Sequence, residues 1–213
     1  MRILGWNCRG ICNTSTVRAL KAQLGVNSLD MVFLCETKAS KLRMEKVKCK
    51  LHFDNFCCIE AIGTAGGLCL FWQKDVDLCI TYKDKNMIVP IIFNFADKPW
   101  LVALCDAPAY NSRKALFWNI LQATVEAFDG SWLYLGDFNN ILGQWEKMGG
   151  NTGDTSNKFL SEFMLNTGAI DLGFNGNKYT WSNKRWGKSC VKERLDRGMC
   201  NDNWRMIFPQ AVI

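Results

Sequence analysis

The sequence has one histidine, four prolines and, among eleven cysteines, no Cys-x-x-Cys pair. A single imidazole cannot complete a Cys₂His₂ set, and without paired cysteines a structural zinc site is not expected. Most of the cysteines sit inside apolar runs, as at Cys35, Cys69, Cys79 and Cys105, where the thiol behaves as a small hydrophobe. Reduced thiols in a reducing compartment are the default reading. No apolar run approaches membrane-spanning length, and the N-terminus enters a strand-like segment with no secretory h-region. The expectation is a soluble intracellular protein, nuclear or cytoplasmic, not secreted. No Ser/Gly-rich linker, repeat or low-complexity stretch divides the chain. Its 213 residues, 48% hydrophobic and 12% aromatic, suit one domain with a sizeable core.

Acidic residues are also in deficit, with 20 Asp and Glu against 26 Lys and Arg. The imbalance is local. Lys38–Lys50 carries six basic residues against Glu45, and Lys178–Arg197 carries seven against Glu193 and Asp196. The second cluster is interleaved with Tyr179, Trp181 and Trp186. Either cluster alone could be a solvated face. Two of them beside candidate ligand residues favour a polyanionic phosphodiester, nucleic acid first.

What the chain does have is a set of short apolar runs that end in polar groups. Trp132–Leu135 reads as a strand buried on both faces, ended by Gly136 and followed by Asp137 and Asn139. Side chains two apart on extended backbone point the same way. A carboxylate and an amide would therefore emerge together at a strand's carboxyl end, where layered α/β proteins bind ligands. The competing reading is an Asp-Phe-Asn turn with self-bonded side chains. Arg2–Trp6 delivers Asn7, Met31–Cys35 delivers Glu36, and Arg194-Leu-Asp196 is a third polar end with Arg194 and Asp196 on one face. Carboxylates and amides without thiolate or imidazole are hard oxygen donors of the kind Mg²⁺ prefers, and they suit metal-assisted phosphoryl chemistry.

The remaining elements follow from periodicity. Strands are expected at 55–61, 68–72, 76–82, 87–95, 100–105, 178–182 and 190–196, with Lys83–Asn86 as a hairpin turn. Helices are expected after an N-cap at Thr14 or Ser15, near 40–51, after Asn111 up to Gly130, and after Thr155 or Ser156 up to Gly168. Gln144–Asp154 reads as a Gly-rich loop. The mixture argues for an α/β layered fold.

Five ordered blocks carry a resemblance: Asn7-Cys8-Arg9-Gly10, Phe33-Leu34-Cys35-Glu36-Thr37-Lys38, Gly136-Asp137-Phe138-Asn139, Tyr179-Thr180-Trp181-Ser182-Asn183 and Arg194-Leu195-Asp196-Arg197. Together they resemble the endonuclease/exonuclease/phosphatase superfamily, and within it the apurinic-type endonuclease domain of plant LINE-type (non-LTR) retroelements. The resemblance implies an α/β (α+β) four-layer sandwich of two packed mixed sheets flanked by helices, spanning 1–213 as a single domain. It implies Mg²⁺ or Mn²⁺ held by Glu36 with Asn7 close by. It also implies Asp137 on the attacking water, Asn139 on a phosphate oxygen and Asp196 behind them as the family's histidine-orienting group. DNA is the implied partner, with no membrane and no obligate protein partner, and a monomer is expected. The nucleic-acid contacts expected on this basis are Arg9, Lys38, Tyr179, Ser182, Asn183, Lys184, Arg185, Lys188 and Arg194.

Three departures shape the expected activity. The family finishes in a Ser-Asp-His segment on a late strand, whereas this sequence stops at Ile213 and its one histidine, His52, does not match that position. The expectation is a fold lacking its last strand or strands, with weak or lost hydrolysis, since one positioned acid–base group is worth about 10²–10⁴ in rate. The Tyr-x-x-Pro block appears as Cys105-Asp106-Ala107-Pro108, without the tyrosine. Arg9 stands where cellular apurinic enzymes carry an acidic residue, as is usual in the plant retroelement branch. The alternatives are a non-catalytic nucleic-acid-binding remnant or, further off, a phosphatase or lipid phosphodiesterase of the same superfamily.

Overall fold

The computed structural model describes residues 1–26, 28–150 and 158–213. They form two compact units, Met1–Pro99 and Trp100–Ile213.

The first unit runs β1 (Ile3–Asn7), α1 (Thr14–Val26), β2 (Met31–Cys35), α2 (Lys41–Leu51), β3 (Asn55–Ile59), β4 (Leu68–Trp72), β5 (Leu78–Asp84) and β6 (Met87–Ile92). A sheet of order β1-β2-β4-β3 is mixed: β1 lies parallel to β2, while β4 is antiparallel to both β2 and β3. β2 is buried at all five positions, which explains its unbroken apolar sequence. Val17 and Leu20 of α1 and Met44, Val47 and Leu51 of α2 pack with Leu4, Trp6, Val32, Leu34, Cys69 and Phe71 of the sheet. The start of α1 is held by Asn13, whose Oδ1 accepts from Ser15 N at 3.0 Å, so the cap lies just before the expected Thr14 or Ser15. Ser40 caps α2. Between β5 and β6, Asp84 Oδ1 accepts from the backbone of Asn86 and Met87, making the expected turn at Lys83–Asn86.

The second unit runs β7 (Trp100–Asp106), α3 (Asn111–Glu126), β8 (Ser131–Asp137), a 3₁₀ turn (Gln144–Glu146), β9 (Lys147–Met148), α4 (Phe159–Thr167), β10 (Ile170–Asp171), β11 (Trp181–Ser182), a second 3₁₀ turn (Gly187–Ser189), β12 (Lys192–Glu193), β13 (Asp196–Cys200) and α5 (Asp202–Ile207). β7 and β8 are parallel, β13 runs antiparallel to β8, and β10 pairs with β13. β11, β12 and β9 make a small antiparallel sheet. Trp118 of α3 stacks on Phe138 at 5.8 Å and meets Phe163 of α4 at 5.3 Å, while Tyr134 donates its hydroxyl to Leu121 O at 2.9 Å. This aromatic cluster anchors the carboxyl end of β8 to both helices.

The expected pair of mixed sheets with helices on their flanks is present, one of four strands and one of six, beside the small three-stranded sheet. Two strand expectations need correction. The segment expected at 178–182 is paired as a strand only over Trp181–Ser182, and 190–196 is not one strand but the two-residue β12 and the first residue of β13. The backbone bends between them, where Leu195 N and Asp196 N both donate to Thr180 Oγ1 at 3.0 Å. The expected caps Thr155 and Ser156, and the Asn151–Asp154 part of the expected loop, lie outside the described residues.

Candidate functional site

In the first unit the parallel β1–β2 register sets Asn7 opposite Cys35, so both strands release their next residues at one sheet edge. Asn7 Nδ2 donates to Glu36 Oε1 at 2.9 Å, and Asn7 Oδ1 accepts from Arg9 N at 3.3 Å. Lys38 Nζ lies 3.8 Å from Glu36 Oε2. Arg9, Glu36 and Lys38 all have positive φ, 48°, 51° and 51°. The loop that imposes this is stitched by Thr37 N to Gly67 O at 3.0 Å and Lys38 N to Gly66 O at 2.9 Å. Gly67 has φ +91°, and a Cβ on it would collide with Thr37 Oγ1, so that position requires glycine.

The donor chemistry here fits a hard cation. Cys8, the neighbouring thiol, donates to Cys35 O and Glu36 O, and burial above all pushes its pKa up to about 11, so it stays protonated at neutral pH and its soft sulfur does not suit a hard cation. That leaves the Glu36 carboxylate and the Asn7 carbonyl oxygen. Among the described residues no group of three or more His, Cys, Asp and Glu could hold an ion. One carboxylate with an amide is nevertheless the sparse protein contribution that Mg²⁺ accepts when substrate phosphate and water complete its shell.

In the second unit β8 ends in Asp137, and Gly136 before it has φ +146°. A Cβ at Gly136 would overlap the Cys105 carbonyl of β7, so only glycine lets the two parallel strands approach there. Asp137 is buried, and its Oδ1 accepts from Asn139 N at 2.9 Å. That bond is the self-bonded turn of the competing reading, and it fixes the plane of the carboxylate. Asn139, φ 46°, donates Nδ2 to Ala107 O at 2.7 Å. Phe138 between them is fully buried.

Sequence reasoning missed what holds this turn in place. Lys114 of α3 is buried, and its Nζ donates to Asn139 O at 2.6 Å and to Asn140 Oδ1 at 2.7 Å. Burial lowers the pKa of its ammonium, while Glu193 and Asp137 act in the opposite direction. Its only sequence signal is a lysine among the apolar positions of an otherwise ordinary helix.

Asp196 is not the end of a strand but the first residue of β13. Because β13 runs antiparallel to β8, Asp196 still falls opposite Asp137 in the register. Its carboxylate makes no hydrogen bond or ion pair among the described residues. Arg194 is not its partner. Arg194 Nη1 reaches Glu146 Oε1 at 3.0 Å and Nη2 reaches Asp171 Oδ1 at 2.7 Å, while Arg197 binds the same two carboxylates at 2.7 and 2.8 Å. Arg194 and Arg197 are buried, so Arg194 is a scaffold residue and not an accessible nucleic-acid contact.

The hairpin from β11 to β12 carries the remaining expected contacts. Asn183 clips the loop: Nδ2 donates to Ser189 O, and Oδ1 accepts from Arg185 N and Val191 N. Ser182 Oγ accepts from Lys184 N. Both are occupied in shaping the loop. Tyr179 is half-buried beside Lys178. Lys184, Arg185 and Lys188 are exposed, and Trp186 among them is 92% exposed.

Among the described residues seven non-glycine positions have positive φ, and Arg9, Glu36, Lys38, Asn139 and Lys184 are five of them. Each such conformation costs about 1–2 kcal/mol, and strained backbone concentrates at functional positions. Four of these, Arg9, Glu36, Lys38 and Asn139, lie in the sequence blocks, and Lys184 directly follows one.

No curated protein matches this sequence. Among solved structures, the endonuclease domain of TRAS1, a telomere-specific non-LTR retrotransposon, shares 14% identity with TM-score 0.64, over 94% of this chain and 85% of that one. An apurinic endonuclease from Archaeoglobus fulgidus shares 14% with TM-score 0.71, over 94% and 87%. The catalytic domain of Xenopus laevis APE2 shares 17% with TM-score 0.68, over 95% and 82%. These similarities extend the fold to nearly the whole chain. Residues 4–211 match the profile of the Endonuclease/Exonuclease/phosphatase family, and the chain belongs to that family.

Proposed function

We propose that the protein is a Mg²⁺-dependent phosphodiester hydrolase acting on DNA, an endonuclease of the non-LTR retroelement type. The observation that carries the reading is the Asn7–Glu36 pair: two strands deliver an amide and a strained carboxylate to one edge, with Lys38 beside them. When bound, Mg²⁺ would supply charge neutralisation on the phosphate. Glu36 and the Asn7 carbonyl oxygen would hold it. Asp137, its plane fixed by the Asn139 N–H, would orient and deprotonate the attacking water. Asn139 spends one amide hydrogen on Ala107 O and keeps the second for a non-bridging phosphate oxygen. The exposed cations Lys184, Arg185 and Lys188, with Trp186 as a stacking surface, would bind the nucleic acid beyond the scissile bond.

The test is nicking of supercoiled plasmid with and without Mg²⁺. Nicking is expected to need the metal and to vanish in Glu36→Ala and Asp137→Ala. Equal nicking by all three proteins would overturn the assignment. A second reading, DNA binding without cleavage, is favoured by one observation: the sole imidazole, His52, caps α2 and is not placed by any catalytic block. It predicts salt-sensitive DNA binding that survives Asp137→Ala and weakens when Lys184, Arg185 and Lys188 are neutralised.

A further inference from the structure

A cleft of about 440 Å³ opens between α1 and the end of α2, lined by Thr14, Val17, Arg18, Lys21, Lys50 and His52, its walls mostly apolar and its charged groups exposed at the rim. The volume falls within the range of small-ligand sites. Thr14, Val17, Arg18 and Lys21 recur at helical spacing, so they form one stripe along α1. Val17 is buried and floors the cleft, while Arg18, Lys21, Lys50 and His52 are exposed. His52 is fixed by its backbone: it closes α2 with φ 59°, donating its N–H to Cys49 O at 3.3 Å.

The charge balance is one-sided. α1 contains no acidic residue, and Glu45 is the only one in α2 and does not line the cleft. Asp54, the nearest carboxylate along the chain after His52, accepts from Lys74 N at 2.8 Å. Among the described residues, Arg18, Lys21, Lys50 and His52 make no ion pair and no hydrogen bond through their side chains. Three exposed cations and an imidazole thus flank one concavity on two helices packed in the same core, a positive surface that attracts a polyanion.

We infer that this cleft is a second phosphate-binding site, which holds the backbone of bound nucleic acid away from the scissile bond. The inference rests on nucleic acid as the substrate class, but not on catalysis. Arg supplies a fork for phosphate oxygens, while Lys21, Lys50, the His52 ring and the Thr14 hydroxyl supply further donors.

Because the sequence has one histidine, a single imidazole resonance reports the cleft. The experiment follows that resonance by NMR in the full chain, with metal chelated so that nothing is cleaved. Duplex DNA is expected to move the His52 signal, and Arg18→Ala/Lys21→Ala/Lys50→Ala is expected to abolish the movement. Alanine at exposed helix positions preserves the helices. Each phosphate contact contributes about 0.9 to the slope of log affinity against log salt. The triple variant should therefore lower that slope by about 2 to 3. Glu36→Ala should leave both readouts unchanged, so loss of nicking with an intact His52 response separates the two proposals. DNA binding with an unmoved His52 signal and an unchanged slope overturns the cleft assignment. So does a signal that moves with inorganic phosphate alone, or with phosphatidylserine vesicles, and not with DNA.

Discussion

The two polar strand ends are held in place by opposite means. Around Glu36 the side chains are half-exposed, the backbone is strained at three nearby positions, and the contacts between side chains are one amide–carboxylate bond and one 3.8 Å ion pair. Around Asp137 the groups are buried, and behind them lie a lysine with two short hydrogen bonds and two arginines shared between two carboxylates. One end stores strain at the solvent edge. The other is a charged lock within a low-dielectric interior, where the loss of any member strands its partners. The difference separates the residues whose loss should destroy the fold from those whose loss should spare it.

The largest effect belongs to the lock. Glu146 binds both guanidinium groups, and its Oε2 also accepts from Leu142 N at 2.7 Å. Glu146→Ala removes one carboxylate and leaves Arg194 and Arg197 sharing Asp171. Removing one partner of a buried charge set costs about 3–5 kcal/mol, to be read as a lower urea midpoint. A variant as stable as the wild type would show that the network is ornamental. The comparison would then collapse.

Lys114 comes next. Lys114→Met keeps the length of the side chain and deletes two bonds to Asn139 O and Asn140 Oδ1. With about 1.5–3 kcal/mol per charged hydrogen bond, partly offset by relief from burying an ammonium, the net loss should be about 1–3 kcal/mol at neutral pH. The pH dependence has a definite sign. Burial lowers the Lys114 pKa in the folded chain, so the proton favours the unfolded state. The stability tied to this group is present above its unfolded value and is lost as pH falls through the folded one. The wild type should therefore gain on Lys114→Met between the lowered folded pKa and the ordinary lysine value. Urea titrations of both proteins across that alkaline window check it, and buried thiols such as Cys8 and Cys200 cancel because the two proteins share them.

How far such a contrast was legible in the sequence depends on the range of the interaction. β2 could be read from Met31–Cys35 alone, since a strand buried on both faces needs no partner to declare itself. Glu36, Asp137 and Asn139 could be singled out because each follows such a run. Arg194 escapes local pattern: alternation puts it on one face with Asp196, whereas it binds Glu146, 48 residues away in a segment that reads as loop. Asp196 reads as the end of a strand and instead begins one, and antiparallel pairing sets that first residue opposite Asp137. Lys114 could not be found locally, because a lysine in an amphipathic helix ordinarily points to water. Short-range pattern exposes the groups that do chemistry, and the buried polar contacts that hold them are long-range.

The smallest effect is the sharpest test of the strained end. Glu36 occupies the left-handed region at φ 51°, a conformation glycine adopts without penalty. Glu36→Ala loses the bond from Asn7 Nδ2 yet keeps a Cβ in that conformation. Glu36→Gly loses the same bond and releases the strain, which is worth about 1 kcal/mol. The glycine variant should therefore be about 1 kcal/mol more stable than the alanine variant and within about 1 kcal/mol of the wild type, while both are inactive in plasmid nicking. Strain tolerated for function predicts this ordering. Alanine equal to or above glycine in urea midpoint would show that Glu36 sits comfortably where it is, and would remove strain from the case for this residue.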